Sequence, residues 1–261
     1  MENAELPRGI AVLWGRRSSS RRGRTAALSV ESITRAAVAV ADADGLAAVS
    51  MARVAAELGC APMSLYRHVA SKDELLMLMA DGALEEPPTQ PTPGDWRARL
   101  TAWAYEVLSL MRAHPWYRDI PIKGPPSGPG NLRWLDRALA AFDDTDLAEI
   151  DKLSIVMGLL PMVHGQARLT VDLGPGYQAH PENFGEGYHR VLTELVDPEG
   201  FPALARAVAA GVFDPASPNA GLDPVEQFDG LEAEFRFALS CYFDGVAAFL
   251  ATRSATGPST S

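Results

Sequence analysis

Between residues 29 and 80 the apolar positions fall into four short runs with helical spacing. In VESITRAAVAVADAD, Ile33, Ala36, Ala37, Val40 and Ala41 recur at steps that place them on one helix face. Ser29 stands where an N-cap belongs, and Gly45 where the helix must stop. Ser50 opens a second run, MARVAAEL, which Gly59 ends. The third begins near Pro62, whose fixed φ and missing N–H suit a first helical turn. In it Leu65 and Val69 face a core, while Ser64 and His68, four apart, share another face. Ser71 and Glu74 have the spacing of a capping box and open a fourth helix through Leu75, Leu76 and Met79.

The Pro-rich stretch EEPPTQPTPGD, 85–95, interrupts the pattern and predicts a domain boundary. Helical spacing then resumes in WRARLTAWAYEVLSLMRAH, NLRWLDRALAAF, DLAEIDKLSIVMGLLPMVHGQARL and the last long segment, 225–253. Pro- and Gly-rich loops are expected at 121–130, 172–183 and 214–224. No run alternates as a strand does, so the chain is expected to be all-α, with nine or ten helices. Residues 1–26 carry no period and read as a flexible basic arm, and 253–261 as a loose tail.

Charge divides the chain. The net charge is −10 overall, yet residues 1–80 hold 10 Lys and Arg against 8 Asp and Glu. The remaining 13 basic residues face 25 acidic ones, so the two halves are suited to different tasks. Five arginines crowd between Arg16 and Arg24. This run is either a solvated tail or an arm that reaches phosphates or a minor groove. No apolar run approaches the roughly 20 residues that cross a bilayer, and the start does not read as a signal peptide. Cys60 and Cys241 are far apart and unpatterned, which fits free thiols in a reducing cytoplasm.

Two short helices joined at Gly59 make a helix-turn-helix over residues 50–69, whose second helix lies in a DNA major groove. Tyr66 and Arg67 flank the Ser64–His68 face and can reach phosphates. Lys72 adds a cation beside a helix N-terminus. AAVSMARVAAELGCAPMSLYRHVASKDELL closely resembles the DNA-binding domain of TetR-like transcriptional repressors, across residues 27–87. The resemblance implies DNA contacts at Ser50, Met51, Pro62, Met63, Ser64, Tyr66, His68 and Lys72. Where the family often carries a basic residue, this chain has Ala52, with Arg53 beside it. Pro62 likewise replaces a hydrogen-bonding side chain of some members, which leaves Met63 and Ser64 to meet thymine methyls or base edges. Arg53, Arg67 and Arg24 complete the expected DNA face.

Residues 95–252 show a looser resemblance to the regulatory domain of the tetracycline-repressor branch, carried by HPWYRDI, the Pro/Gly loop and NLRWLDRALAAF. It implies an effector pocket and a homodimer. In the last helix Phe228, Leu231, Phe235 and Tyr242 form one apolar stripe; Leu239, Phe243, Val246 and Leu250 form another. A helix apolar on two sides needs two partners, and the second stripe is expected at a dimer seam. Met157, His164 and Arg168 share a helix face, with Pro161 between them to kink it. With Trp103, Met111, Trp116 and Trp134 they make a candidate effector pocket, suited to a partly apolar or aromatic small molecule. Singly, each is more often plain core, and His164 equally suits a satisfied core histidine.

No catalytic motif, phosphate loop or metal-ligand spacing is present, so no enzyme activity, cofactor or metal is expected. The reading is a cytoplasmic, homodimeric regulator that binds double-stranded operator DNA and is released by a small molecule. Its rivals are an all-α small-molecule enzyme with a vestigial helix-turn-helix, and an effector-independent DNA-binding protein.

Overall fold

The computed structural model describes residues 8–15, 28–84, 86–88, 92–121, 124–217 and 227–256, with the side chains of 227–232 and 254–256 left aside. Among the described residues the regular elements are all helices, with no strand. Two compact units divide it, residues 1–163 and 164–261.

In the first unit, α1 covers Arg8–Leu13, α2 Val30–Asp44, α3 Met51–Glu57, α4 Pro62–Leu65 and α5 Lys72–Gly82. The capping residues hold these helices where local chemistry requires. The Ser29 hydroxyl accepts from the Ser32 amide, and Gly45 ends α2 at φ 78. The Ser50 hydroxyl accepts from the Arg53 amide, and Gly59 turns the chain at φ 64. The Ser71 hydroxyl accepts from the Glu74 amide at 3.1 Å. The Glu74 carboxylate reaches back to the Ala70 amide, one residue before the cap itself. Ile33, Ala37, Val54, Leu65, Val69, Leu75 and Met79 are fully buried in one core. Only side chains on the predicted faces of several short helices can meet this way, so each helix depends on the others.

Residues 8–15 depart from the expected arm. The helix α1 docks on α5, with Val12 buried in the shared core. A side chain on Gly9 would meet the end of the Met77 side chain, which would have to move. The remainder of the arm, with Arg24, lies outside the described residues.

The unit continues with α6, Trp96–Ala113, and α7, Pro129–Ala140, and the first part of α8, Glu149–Ala179. Asp95 caps α6 through the Ala98 amide. The Trp103 indole donates to the Trp134 carbonyl at 2.9 Å, and Trp96 stacks on Phe142. The helix α8 runs unbroken past Pro161 and through 172–179, where a loop was expected. There Phe184 lies against Gly176 and edge-on to Tyr177, contacts that hold the last turn despite Pro175.

In the second unit, α9 (Glu186–Leu195) and α10 (Pro202–Ala209) pack together, with Tyr188 edge-on to Phe213. The last helix, α11, spans Gln227–Thr256. No helix among the described residues is long and apolar enough to cross a membrane.

Candidate nucleic-acid interface

The helix α4 is only four residues long, followed by a turn that His68 and Val69 close by donating to the Leu65 carbonyl. Leu65 and Val69 are completely buried and anchor it. That anchoring turns the opposite side outward. Met63 is 72% exposed and Tyr66 45%; Pro62, Arg67 and Lys72 are exposed, and Ser64 and His68 are half-buried. One short, cationic and aromatic surface results, on a closely packed three-helix base.

Two expected contacts are placed otherwise. Met51 is buried, because the first residue of α3 points into the core, and it presents no surface to DNA. Arg53 is exposed but its guanidinium meets the Asp44 carboxylate at 3.1 Å, so its charge is partly answered within the chain. The Ser50 hydroxyl is engaged as a cap.

Three side chains absent from the sequence-based list tie this base to α6 and α7. Asp42 Oδ1, on α2, faces His114 Nδ1 at 2.7 Å and accepts from the Trp116 indole at 2.6 Å. Asp81, in the last turn of α5, is buried. Its carboxylate accepts from the Gly130 amide and from the Asn131 amide and side chain, near 3 Å. It therefore caps the N-terminus of α7, where backbone amides and helix dipole both favour an anion. The Trp14 indole, beyond α1, donates to the Ser127 carbonyl just before α7. These ties explain why the compact units do not part at 85–95.

Of the seven expected effector residues, Trp103, Met111, Trp116, Trp134 and Met157 belong to the first unit and His164 and Arg168 to the second. Trp103, Met111 and Trp134 are buried among α6 and α7. Trp116 belongs instead to the core around α2 and α5. Met157 and Arg168 lie on the outside of α8, Met157 being 42% exposed and Arg168 bonded to Asp172 one turn on. His164 is half-buried, and burial lowers its pKa below the usual imidazole value. Within the first unit, Trp103, Met111 and Trp134 are thus a buried set, from which Met157 is set apart because α8 keeps Val156, Leu159 and Val163 inward instead.

The expected dimer seam also needs correction. Leu239, Phe243 and Val246 are buried by the chain itself, and so is Phe235. At spacings of four, four and three they form a single inward stripe, with Leu250 half-buried at its end. The outward surface of α11 carries Phe237, 71% exposed, and Phe249. On α8 the exposed apolar positions are Ile150, Leu153, Met157, Leu169 and Leu173.

An outward α4 held on a capped three-helix base defines a helix-turn-helix regulator of transcription. Comparison with known proteins agrees. Residues 33–78 match the family model described as bacterial regulatory proteins, tetR family. Residues 87–250 match the tetracyclin repressor-like C-terminal domain. The chain is 34% identical to the HTH-type transcriptional repressor DrrR1 of Streptomyces coeruleorubidus, over 96% of this chain and 89% of that protein. An HTH-type transcriptional regulator of Saccharopolyspora erythraea is 31% identical over 49% of this chain and 54% of that protein. Among solved structures, the TetR family protein ActR of Streptomyces coelicolor, in complex with actinorhodin, superposes with a TM-score of 0.68. It is 25% identical and covers 87% of this chain and 98% of its own. The chain belongs to the tetR family, and it is a DNA-binding transcriptional regulator.

Proposed function

We propose that the protein is a homodimeric repressor that a small molecule releases from its operator. The observation that carries this is the outward surface of Met63, Ser64, Tyr66, Arg67, His68 and Lys72, fixed by the burial of Leu65 and Val69. Similarity to the repressor DrrR1 along nearly the whole chain supports the sign of regulation. The ligand in the ActR complex supports an effector. The buried Trp103, Met111 and Trp134 suit an apolar or aromatic molecule. The division of labour follows the sequence, with residues 27–87 for DNA and 95–252 for effector and dimer. Asp42 and Asp81 tie the two parts, so an effector that favours one arrangement of α6 and α7 biases the α4 spacing needed for half-sites one DNA turn apart.

The dimer is assigned to the outward apolar positions of the second unit, Leu169 and Leu173 on α8 and Phe237 and Phe249 on α11, in place of the buried stripe. A gel-shift with DNA flanking the protein's own gene tests the reading. Specific binding that weakens with salt, and that an effector extract abolishes, is expected. Binding indifferent to sequence, or its absence at low salt, overturns it.

A further inference from the structure

Arg112 lies in the last turn of α6, directly after the buried Met111 and one turn beyond the buried Leu108. Its Nε and Nη2 are shut off from water, and neither has a hydrogen-bond partner among the described residues. Those two nitrogens form the edge of a guanidinium that takes both oxygens of a carboxylate side by side. Arginine does not give up its proton in proteins, so the charge remains while its partner is missing. Three other cations of the same unit are answered. Arg137 meets both oxygens of Glu106, Arg99 meets Asp144, and Lys152 meets Glu149 at 2.7 Å. Arg112 as a whole is half-buried, yet two of its nitrogens are shut in without a partner; that is costly, and chains keep such violations chiefly where function needs them.

We infer that Arg112 anchors an acidic group of the effector, a carboxylate or another anion offering two oxygens side by side. Met111 and Leu108, its buried neighbours on α6, suit an apolar body attached to that group. This rests on the effector-release reading and adds to it the chemical class of the ligand. The anion relieves a charge that the free protein holds unpaired, so part of the binding energy is stored in the free chain. An ester or amide of the same skeleton lacks this gain.

The full-length protein tests it with two probes of one shape, 2-naphthoic acid and 2-naphthamide, in thermal-shift titrations. Wild type is expected to bind the acid at least tenfold more tightly than the amide. Arg112→Met is expected to bind both alike, and Arg112→Lys to keep only part of the preference, since an ammonium lacks the two-toothed edge. Without any probe, Arg112→Met is expected to melt several degrees higher, because it removes the unpaired charge and keeps much of the volume. A lower melting temperature for Arg112→Met overturns the inference, since it shows that the guanidinium is structurally partnered. Equal binding of acid and amide by wild type overturns it too, while leaving effector binding intact. A wild type that neither probe stabilises overturns it and also counts against the effector-release reading.

Discussion

Tyr117 carries its hydroxyl into the interior of the first unit. Burial, reinforced by the nearby Asp81 carboxylate, pushes its pKa from 10.0 up to about 12. Below pH 10 the folded and unfolded chains both hold this proton. As pH rises from 10 to 12 the unfolded chain releases it and the folded chain does not, so stability falls. The loss is about 1.4 kcal/mol per pH unit, roughly 2–3 kcal/mol across the window. Tyr117→Phe should remove that slope, and the difference between the two proteins in urea unfolding at pH 9 and pH 11.5 checks it. On the DNA surface, Tyr66→Ala and Lys72→Ala should weaken operator binding with melting temperature unchanged. Loss of Lys72 should also shallow the salt dependence by about one counterion. Met51→Ala should do the reverse, costing about 2–5 kcal/mol of stability through a core cavity. Urea curves paired with salt titrations of DNA binding separate the two behaviours.

At the scale of elements, the Asp81 cap joins α5 to α7 across about fifty residues of chain. Asp81→Ala should leave the Gly130 and Asn131 amides without their acceptor and cost about 2–4 kcal/mol. That lowers the melting point by about 2–4 °C for each kcal/mol. Hydrogen exchange should speed up first at the start of α7, and uniform exchange across the unit would count against a local cap. What the sequence made legible is what neighbouring residues decide. Ser29, Gly45, Ser50, Gly59 and Ser71 each act within four residues, so their caps and stops were readable. Asp42 and Asp81 act on partners 49 to 74 residues away, and no local pattern announces them. Helix α1 escaped because six residues are too few to show a period, and its stability comes from docking. Pro175 and its flanking glycines read as a loop because the contacts of Phe184 that stabilise the helix are tertiary. The second α11 stripe turns inward because Leu239 is four residues from Phe235 and shares its buried arc, whereas Phe228 and Leu231 of the first lie outside the described side chains.

At the scale of the whole molecule, the buried and outward apolar sets make opposite predictions. Leu169→Asp and Phe237→Asp place a charge on surfaces that face water in the single chain. Each should leave a folded monomer, with DNA binding lost because one half-site holds too weakly. Leu239→Asp instead puts a charge into the chain's own interior, and should unfold or aggregate the protein. Sedimentation velocity with far-ultraviolet circular dichroism checks all three. A dimeric Phe237→Asp would remove α11 from the seam and leave the exposed stripe of α8 as its remaining support.

The crowding at the head of α7 also constrains how this lineage can change. A side chain on Gly128 would strike only the carboxylate of Asp81, whereas one on Gly130 would strike the backbone carbonyl of that residue as well. Loss of the carboxylate therefore frees the first glycine and not the second. In descendants and cousins of this chain, position 128 should diversify only after position 81 has become small, while position 130 stays glycine throughout. The order of those two substitutions is then a historical record: a side chain at 128 marks a branch that had already given up the cap.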